Sequence, residues 1–288
     1  MKQTETVDGK RALITGGTDG IGKEVARGLA RQGGEVIIAG RNKEKGRAAA
    51  AELNRDAGRQ AVAFVPADLS LMGNVRHLAE TVLRRQGRLD LLVHSAGVIH
   101  TGFELTEEGL ETNFATNYLS RFLLTHLLLE RLQASAPARV LIIAAARGKG
   151  KLNFEQIERP TRGGMRALGQ SQLANDIYTM ELAARLEGSA VEVAAIHPGA
   201  VDTNIRRQFP GWLNRIMGLL FGRMVMTAAE GAELPLWLAT SGESINGRLF
   251  KPQRNEIVPA ASVLDLEQRR RLWEVSTALV GVEERQPA

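Results

Sequence analysis

The stretch Thr15-Gly16-Gly17-Thr18-Asp19-Gly20-Ile21-Gly22 decides the fold of this chain, because it joins an apolar run at residues 13–14 to a helix-period stretch at residues 21–31. Glycines at positions 16, 20 and 22 let the backbone turn sharply and approach a phosphate group, and the helix that follows offers free N–H groups. A glycine cluster alone could be a plain tight turn. Its place after the first strand of a βαβ unit instead predicts a dinucleotide site, with contacts from Thr15, Gly16, Asp19, Gly20, Ile21 and Gly22.

The rest of the chain repeats the same alternation of buried strands and helices. Further strand-like apolar runs lie at residues 36–38, 62–65, 91–93, 140–143 and 191–196, and helix-period stretches lie at residues 71–85, 117–132, 168–186 and 264–279. This pattern predicts an α/β fold with a doubly wound parallel sheet, which binds ligands beyond the carboxyl ends of its strands. We expect one domain over residues 1–288, with a lid-like insertion around residues 204–226.

Composition excludes several classes of site. The chain has 288 residues, no cysteine and a formal net charge of +5. Without cysteine there is no disulfide, thiol nucleophile or cysteine-ligated metal, and the five histidines lack metal-ligand spacing, so we expect no metal site. The basic residues are scattered, which argues against nucleic-acid binding. The polar start of the chain and the lack of a membrane-spanning apolar run favour a cytoplasmic protein.

The end of the second predicted strand indicates which dinucleotide is bound. An NAD-preferring site needs a carboxylate there to accept the ribose hydroxyls. Here Gly40 is neutral and is followed by Arg41 and Asn42. A guanidinium suits the 2′-phosphate of NADP because its fork pairs with phosphate oxygens. A surface arginine is the alternative interpretation, but the position favours NADP(H) over NAD(H), with contacts from Arg41 and Asn42.

The chain resembles the short-chain dehydrogenase/reductase family, and more closely its retinol-dehydrogenase-like branch, over about residues 9–281. The resemblance is carried by many motifs in order: Ala67-Asp68-Leu69-Ser70, Leu89-Asp90-Leu91-Leu92-Val93, Ser95-Ala96-Gly97-Val98, Thr116-Asn117-Tyr118-Leu119-Ser120-Arg121-Phe122, Gln172-Leu173-Ala174-Asn175, His197-Pro198-Gly199 and Leu272-Trp273-Glu274. It implies a three-layer Rossmann fold with a mainly parallel seven-stranded sheet.

The resemblance also implies the remaining cofactor contacts. They are adenine contacts from Asp68 and Leu69, contacts on the adenosine and phosphate side from Ala96 and Gly97, and nicotinamide contacts from Pro198, Gly199 and Thr203. One departure stands beside them. The family usually has two asparagines before Ala96, where this chain has His94 and Ser95. His94 could be a new acid, although a histidine at the end of a strand is more often structural.

The resemblance further places a catalytic serine, tyrosine and lysine, assisted by an asparagine. Asn117 matches the asparagine and is the only retained member, while Ala145, Leu168 and Gln172 stand at the serine, tyrosine and lysine positions. Leucine and alanine cannot exchange a proton or donate a hydrogen bond. Gln172 can still reach a ribose hydroxyl of the cofactor. We therefore expect ordinary alcohol–ketone interconversion to be nearly abolished.

Three functions follow from a cofactor site without these residues, and whether the chain is an enzyme stays open. The first is an NADP(H)-binding pseudoenzyme, serving as a regulator or as a partner of an active homologue. The second is an atypical NADPH-dependent oxidoreductase of activated apolar substrates, with water or His94 supplying protons, or a cofactor-scaffolded isomerase or cyclase. The third is a carrier of apolar ligands.

Partners are predicted only in outline. Family members usually associate through the helices read here at residues 117–132 and 168–186, so we expect a homo-oligomer, or a hetero-oligomer with an active homologue. The apolar insertion around residues 204–226 is flanked by arginines. It could cover an apolar ligand, pack against a partner subunit or make shallow contact with a membrane.

Overall fold

The computed structural model describes residues 7–144, 150–199, 201 and 226–283. These residues form one eight-stranded sheet in the order β3-β2-β1-β4-β5-β6-β7-β8. The strands are β1 (Arg11–Thr15), β2 (Glu35–Gly40), β3 (Val62–Pro66), β4 (Leu91–His94), β5 (Ala138–Ile143), β6 (Val191–Ile196), β7 (Arg248–Lys251) and β8 (Asn255–Ile257). All neighbours pair in parallel except β7 and β8. The chain order reverses between β1 and β4, which is where such sheets bind ligands.

The strand count corrects the prediction of seven strands. The eighth strand, β8, returns antiparallel to β7 through a turn in which Gln253 and Arg254 have φ of 64° and 61°. It has three residues, and only Ile257 among them is buried. A strand this short has no apolar run that the sequence pattern could reveal.

Helices cover both faces of the sheet, as predicted. They are α1 (Gly20–Arg31), α2 (Lys43–Ala57), α3 (Met72–Arg85), α4 (Thr112–Phe114), α5 (Ser120–Ala134), α6 (Phe154–Glu158), α7 (Met165–Arg185), α8 (Ala228–Thr240), α9 (Ala261–Leu264) and α10 (Leu266–Val280), with a π-helical turn at Ala115–Leu119. One core joins the sheet to α1, α2 and α8, and the other joins it to α3, α5, α7 and α10. Successive strand residues alternate between them, so that Leu13 enters one core and Ile14 the other. Burial on both faces explains the continuous apolar runs.

The C-terminal helix α10 packs on the outer side of α5 and α7. The ring of Trp273 lies 5.1 Å from that of Phe122 on α5 and 6.0 Å from that of Tyr178 on α7. Arg269 on α10 donates to Glu181 on α7 at 3.1 Å. The two helices predicted as association surfaces are therefore partly covered by the chain itself.

Two further predictions concern a lid-like insertion and the extent of the domain. The lid-like insertion around residues 204–226 lies, apart from Met226, outside the described residues. The single domain predicted over residues 1–288 stays a prediction. Among the described helices, none combines the length and apolarity that a membrane span requires.

Candidate functional site

The glycine loop is pressed against the end of β4. Gly16 has φ of +70°, and a Cβ built on it would lie 2.7 Å from the Cα and N atoms of Ala96. A Cβ on Gly22 would lie 2.6 Å from the Gly16 carbonyl oxygen, and Gly20 also has a positive φ of 53°. Side chains would fill this turn, so the loop leaves a backbone-lined cradle at the N-terminus of α1. Such a cradle fits a pyrophosphate, whose charge the helix N-terminus stabilises.

Asp19 and Asn42, both predicted cofactor contacts, cap helices. Asp19 Oδ1 accepts from the Gly20 N–H at 2.8 Å at the start of α1, and Asn42 Oδ1 accepts from the Lys45 N–H at 2.9 Å at the start of α2. The Lys45 ammonium also pairs with the Asp19 carboxylate. The capping contacts hold the starts of both helices at one edge of the sheet. Beside them, Thr15 is buried, with its hydroxyl 3.4 Å from the Ala96 nitrogen.

Arg41 stands at the end of β2, next to the glycine loop. Its side chain is exposed, as is that of Lys43. A Cβ built on Gly40 would lie 2.9 Å from Thr18 Cγ2, so the end of β2 packs directly on the loop. The structure thus places the guanidinium-bearing residue beside the cradle, where sequence reasoning expected it.

Asp68 and Leu69 follow β3 at the same edge. Asp68 Oδ1 accepts from the N–H of Ser70 at 3.0 Å and from its hydroxyl at 2.7 Å, which fixes the orientation of the carboxylate. Leu69 is buried. The two residues follow an outer strand of the sheet, on the other side of β1 and β4 from the segment after β6 that is predicted to hold the nicotinamide.

Asn117 lies in the π-helical turn and fastens the loop after β4. Its Oδ1 accepts from the Val98 N–H at 2.8 Å, and its Nδ2 donates to the Val98 carbonyl at 2.9 Å. Its own carbonyl accepts from Asn175 Nδ2 on α7 at 3.0 Å. Asn117 therefore ties the segment of Ala96 and Gly97 to α7. π-Helical turns often occur at functional sites.

Leu168 and Gln172, which the sequence predicts at the tyrosine and lysine positions, lie one turn apart on α7. Leu168 is half-buried and Gln172 is buried. The Gln172 amide nitrogen lies 3.5 Å from the Ser171 hydroxyl oxygen. Leu168 has no side-chain polar atom, so it offers no proton. Two other site predictions, Ala145 and Thr203, lie outside the described residues.

Neither tyrosine of the chain can take the place of Leu168. The sequence has two, Tyr118 and Tyr178, and both are fully buried. The Tyr118 hydroxyl is 2.8 Å from that of Ser276 on α10. Burial raises the pKa of Tyr178, and it raises the pKa of Tyr118 well above its ordinary value. Both hydroxyls stay protonated inside the aromatic cluster below the C-terminal helix.

His94 is enclosed beneath the sheet edge. It is 1% exposed, and its Nε2 lies 2.8 Å from the Thr125 hydroxyl oxygen on α5. Burial and, to a lesser degree, the nearby Arg121 charge lower the pKa of His94 well below its ordinary value. The ring is therefore neutral and enclosed, which favours the structural interpretation over an acid.

Arg121 is a buried cation that sequence reasoning did not single out. Its Nη2 donates to the Ala96 carbonyl at 2.8 Å, while its Nε and Nη1 have no partner among the described residues. Burial lowers the pKa of Arg121 to about 9. No sequence signal marks it, since an arginine on a helix is usually exposed.

A buried pair supports the segment predicted to hold the nicotinamide. His197 Nε2 lies 2.8 Å from Asp176 Oδ1 on α7, and the His197 N–H donates to the Phe250 carbonyl on β7 at 2.8 Å. Pro198 is buried, and Gly199 is exposed with φ of +78°. The pair fixes where the segment leaves β6. Sequence reasoning missed Asp176, although it lies one turn beyond Gln172.

A second polar cluster lies on the loop after β4 and was also missed. Asn113 Oδ1 accepts from the His100 N–H at 2.9 Å, and its Nδ2 donates to the His100 carbonyl at 3.0 Å and to that of Gly164 at 3.2 Å. His100 Nδ1 lies 2.9 Å from Glu104 Oε2. Glu111 caps α4, and burial raises the pKa of its carboxyl. Within the described residues, no group of three or more metal-ligating side chains gathers.

Comparison with known proteins agrees with this architecture. The family model for short chain dehydrogenase matches residues 10–214. Human retinol dehydrogenase 12 is 40% identical over 281 residues, covering 95% of this chain and 87% of that protein. Bovine dehydrogenase/reductase SDR family member 13 is 39% identical over 281 residues, covering 95% of this chain and 74% of that protein.

Solved structures agree as well. An uncharacterized protein from Mycobacterium Paratuberculosis has a TM-score of 0.77 at 27% identity, covering 98% of this chain and 97% of its own. A short chain dehydrogenase from Burkholderia cenocepacia J2315, solved in complex with NADP, has a TM-score of 0.69 at 25% identity, covering 86% of this chain and 97% of its own. The chain therefore belongs to the short-chain dehydrogenase/reductase family of oxidoreductases, in its retinol-dehydrogenase-like branch.

Proposed function

We propose that this chain binds NADP(H) but lacks the proton transfer needed to interconvert ordinary alcohols and ketones. One observation carries the proposal: the glycine cradle is complete, while the turn of α7 that should bear tyrosine and lysine bears Leu168 and Gln172. When bound, a reduced nicotinamide supplies a hydride. The chain has to supply the positioning and any proton.

Several features support NADP(H) as the cofactor. The cradle at Gly16 and Gly22 suits a pyrophosphate, and the NADP complex of the Burkholderia relative has the same fold. The exposed Arg41 and the neutral Gly40 favour a 2′-phosphate over bare ribose hydroxyls, hence NADP(H) over NAD(H). Asp68, Gly97 and the segment of Pro198 and Gly199 follow strands along one edge of the sheet. We assign them contacts with the adenine, with the adenosine and phosphate side, and with the nicotinamide.

The missing proton transfer follows from the side chains. Leucine at position 168 has nothing to donate, and Gln172 has no charge with which to stabilise a phenolate, although its amide can still bind a ribose hydroxyl. Loss of general acid–base catalysis reduces a rate roughly 10²- to 10⁴-fold. Losses at residues that act as a unit do not simply multiply, yet ketone reduction should still be nearly abolished.

A cofactor-binding pseudoenzyme, acting as a regulatory or partner subunit, is the first form of this function. The second form is an atypical oxidoreductase of activated apolar substrates. The second form is supported by an exposed apolar surface where the loop after β4 meets the start of α7. There, Phe103 is 46% exposed and Met165 is 55% exposed. Such a surface suits an apolar ligand.

Location and partners stay proposals of the same kind. The lack of cysteine fits a cytoplasmic protein. We retain the prediction of an oligomer, either of this chain or with an active homologue. Its interface has to use a surface other than the parts of α5 and α7 that α10 covers, or displace α10.

Fluorescence titration with NADPH and NADH, together with a panel of ketone, enone and imine substrates, tests the function. We expect NADPH binding with no reduction of unactivated ketones. The triple variant Ala145→Ser, Leu168→Tyr and Gln172→Lys should gain ketone reduction, because it restores the hydroxyls and the charge. Its matched control carries Leu168→Phe in place of Leu168→Tyr, which keeps the ring without the hydroxyl, and should stay inactive. Brisk ketone reduction by the unmodified protein would contradict the proposal.

A further inference from the structure

The loop after β4 carries a histidine–carboxylate pair at the edge of the sheet where the cofactor cradle lies. His100 Nδ1 lies 2.9 Å from Glu104 Oε2, and the imidazole is 35% exposed. This contact places the exposed carboxylate of Glu104 beside Nδ1, so Nε2 is the ring nitrogen left for a second partner. Within the described part of the chain, no group contacts this Nε2 at hydrogen-bond distance.

A single amide connects His100 to the helix turn that has lost its tyrosine. Asn113 is 0% exposed, and it binds both the N–H and the carbonyl of His100, at 2.9 and 3.0 Å. The same side chain donates to the Gly164 carbonyl at 3.2 Å, and that carbonyl accepts from the Leu168 N–H at 2.9 Å. The backbone of His100 is therefore linked to that of Leu168 through three successive hydrogen-bonded contacts.

Close packing keeps the loop against α7. Gly164 has φ of +64°, and a Cβ on it would overlap the Thr101 carbonyl oxygen. A Cβ on Gly163 would lie 2.8 Å from the ring of Phe103. Residues 101–103 thus pack directly on the residues that lead into α7, and His100 immediately precedes them in the chain.

His100 differs from the other histidines of the chain. His94, His126 and His197 are buried, and His77 is exposed on α3. His94 faces Thr125, and His197 is engaged by Asp176. Of the five, His100 alone combines access to solvent with a place on the loop between β4 and α4.

We propose that His100, oriented by Glu104, donates a hydrogen bond and then a proton to the oxygen of an apolar α,β-unsaturated carbonyl compound held against the nicotinamide. This role rests on the second form of the proposed function, the atypical oxidoreductase. The exposed Phe103 and Met165 give the entrance its apolar character. His100 takes over the donor role that Leu168 cannot fill.

The reaction balances with NADPH as the reductant. Hydride from the reduced nicotinamide forms the new C–H bond at the β-carbon of the enone, and the alkene π pair moves toward the oxygen. That oxygen takes the proton from His100, and the resulting enol becomes the saturated ketone. The enone is reduced by two electrons, the nicotinamide is oxidised, and solvent reprotonates the imidazole through its exposed edge.

Chemical modification tests the placement of His100 without measuring activity. Diethyl pyrocarbonate should modify His100 and His77, and mass spectrometry separates the two sites. With NADPH at about ten times its dissociation constant, modification of His100 should slow about tenfold by mass action, while that of His77 stays unchanged. Equal modification of His100 with and without bound NADPH would overturn the placement.

Turnover of benzylideneacetone to benzylacetone tests the proton donor. We expect the unmodified protein to form benzylacetone, and His100→Asn to reduce kcat by about 10²-fold or more while NADPH affinity is kept. His77→Asn is the matched control and should leave kcat unchanged. A His100→Asn variant that keeps full turnover overturns the donor role. A protein that binds NADPH but forms no benzylacetone also overturns the donor role, while the proposed function stands. Failure to bind NADPH would contradict both the donor role and the proposed function.

Discussion

Replacing Gly16 by alanine should expose how tightly the glycine loop is built against β4. The backbone there has φ of +70°, and a left-handed conformation costs a non-glycine residue about 1–2 kcal/mol. The added Cβ would also lie 2.7 Å from the backbone of Ala96, which cannot move aside as a flexible side chain would. Overpacking of this kind costs about 1–3 kcal/mol. We therefore expect Gly16→Ala to lower the free energy of unfolding by about 2–5 kcal/mol, the sum of both terms.

Gly58→Ala is the matched control for this prediction. Gly58 ends α2 with φ of +68°, and a Cβ there meets nothing within 4 Å. Gly58→Ala should lower the free energy of unfolding only by the cost of the left-handed backbone conformation, about 1–2 kcal/mol. Urea unfolding gives both free energies, and fluorescence titration gives the NADPH dissociation constant. We expect Gly16→Ala alone to weaken NADPH binding, because relief of the contact moves the loop or the Ala96 backbone.

Two results would refute the reasoning. One is an equal loss of stability in Gly16→Ala and Gly58→Ala, which would mean that the close approach to β4 contributes nothing. The other is unchanged NADPH affinity in Gly16→Ala, which would mean that the cradle does not hold the cofactor.

Three further predictions concern charged side chains. Arg41→Ala should weaken NADPH binding about 10- to 100-fold through loss of a charge-assisted hydrogen bond and leave NADH binding unchanged in the same titration; equal effects on both would contradict the cofactor preference. Hydrogen bonds from Lys23 and Arg27 lower the pKa of Glu52 to about 2, so its contribution is complete above the ordinary value of 4.5 and is lost as the pH falls toward 2. Because Glu52 is partly exposed, Glu52→Gln should lower the free energy of unfolding by only about 0.5–1 kcal/mol at pH 7, and by less at pH 3. Urea unfolding at both pH values measures this loss, and a loss that is larger at pH 3 than at pH 7 would contradict the prediction. Arg121→Met should raise the free energy of unfolding by about 1–3 kcal/mol, since it removes a buried charge that has no carboxylate partner among the described residues, and a loss of thermal stability would argue against this account.

The sequence predicts the layers of this fold well where elements are long and buried. The strands at residues 36–38 and 191–196 stand out because both faces of the sheet are covered. α2 lies outside the predicted helix-period stretches because its apolar residues, apart from Leu53, are alanines, which mark a buried face only weakly. α8 was missed because it contains Pro235, which ordinarily interrupts a helix.

The candidate site divides in the same way. Gly16 and Gly22 could be foreseen because a glycine loop after a strand is a local pattern. The pairing of His197 with Asp176 could not, because these residues lie 21 positions apart, one just after β6 and the other on α7, and they meet only in the folded chain. His100 lies in a loop without periodicity, and its link to α7 through Asn113 depends on tertiary contacts.

The position of α10 has a consequence for how the protein is made. This helix brings Trp273 to Phe122 and Tyr178, although it leaves the ribosome after the helices that carry them. Until α10 has been synthesised, the apolar side of α5 and α7 that it covers is exposed and prone to aggregation. One layer of the core therefore closes only after residues 266–280 have been synthesised, and a ribosome stalled before residue 266 would hold a domain that cannot complete itself.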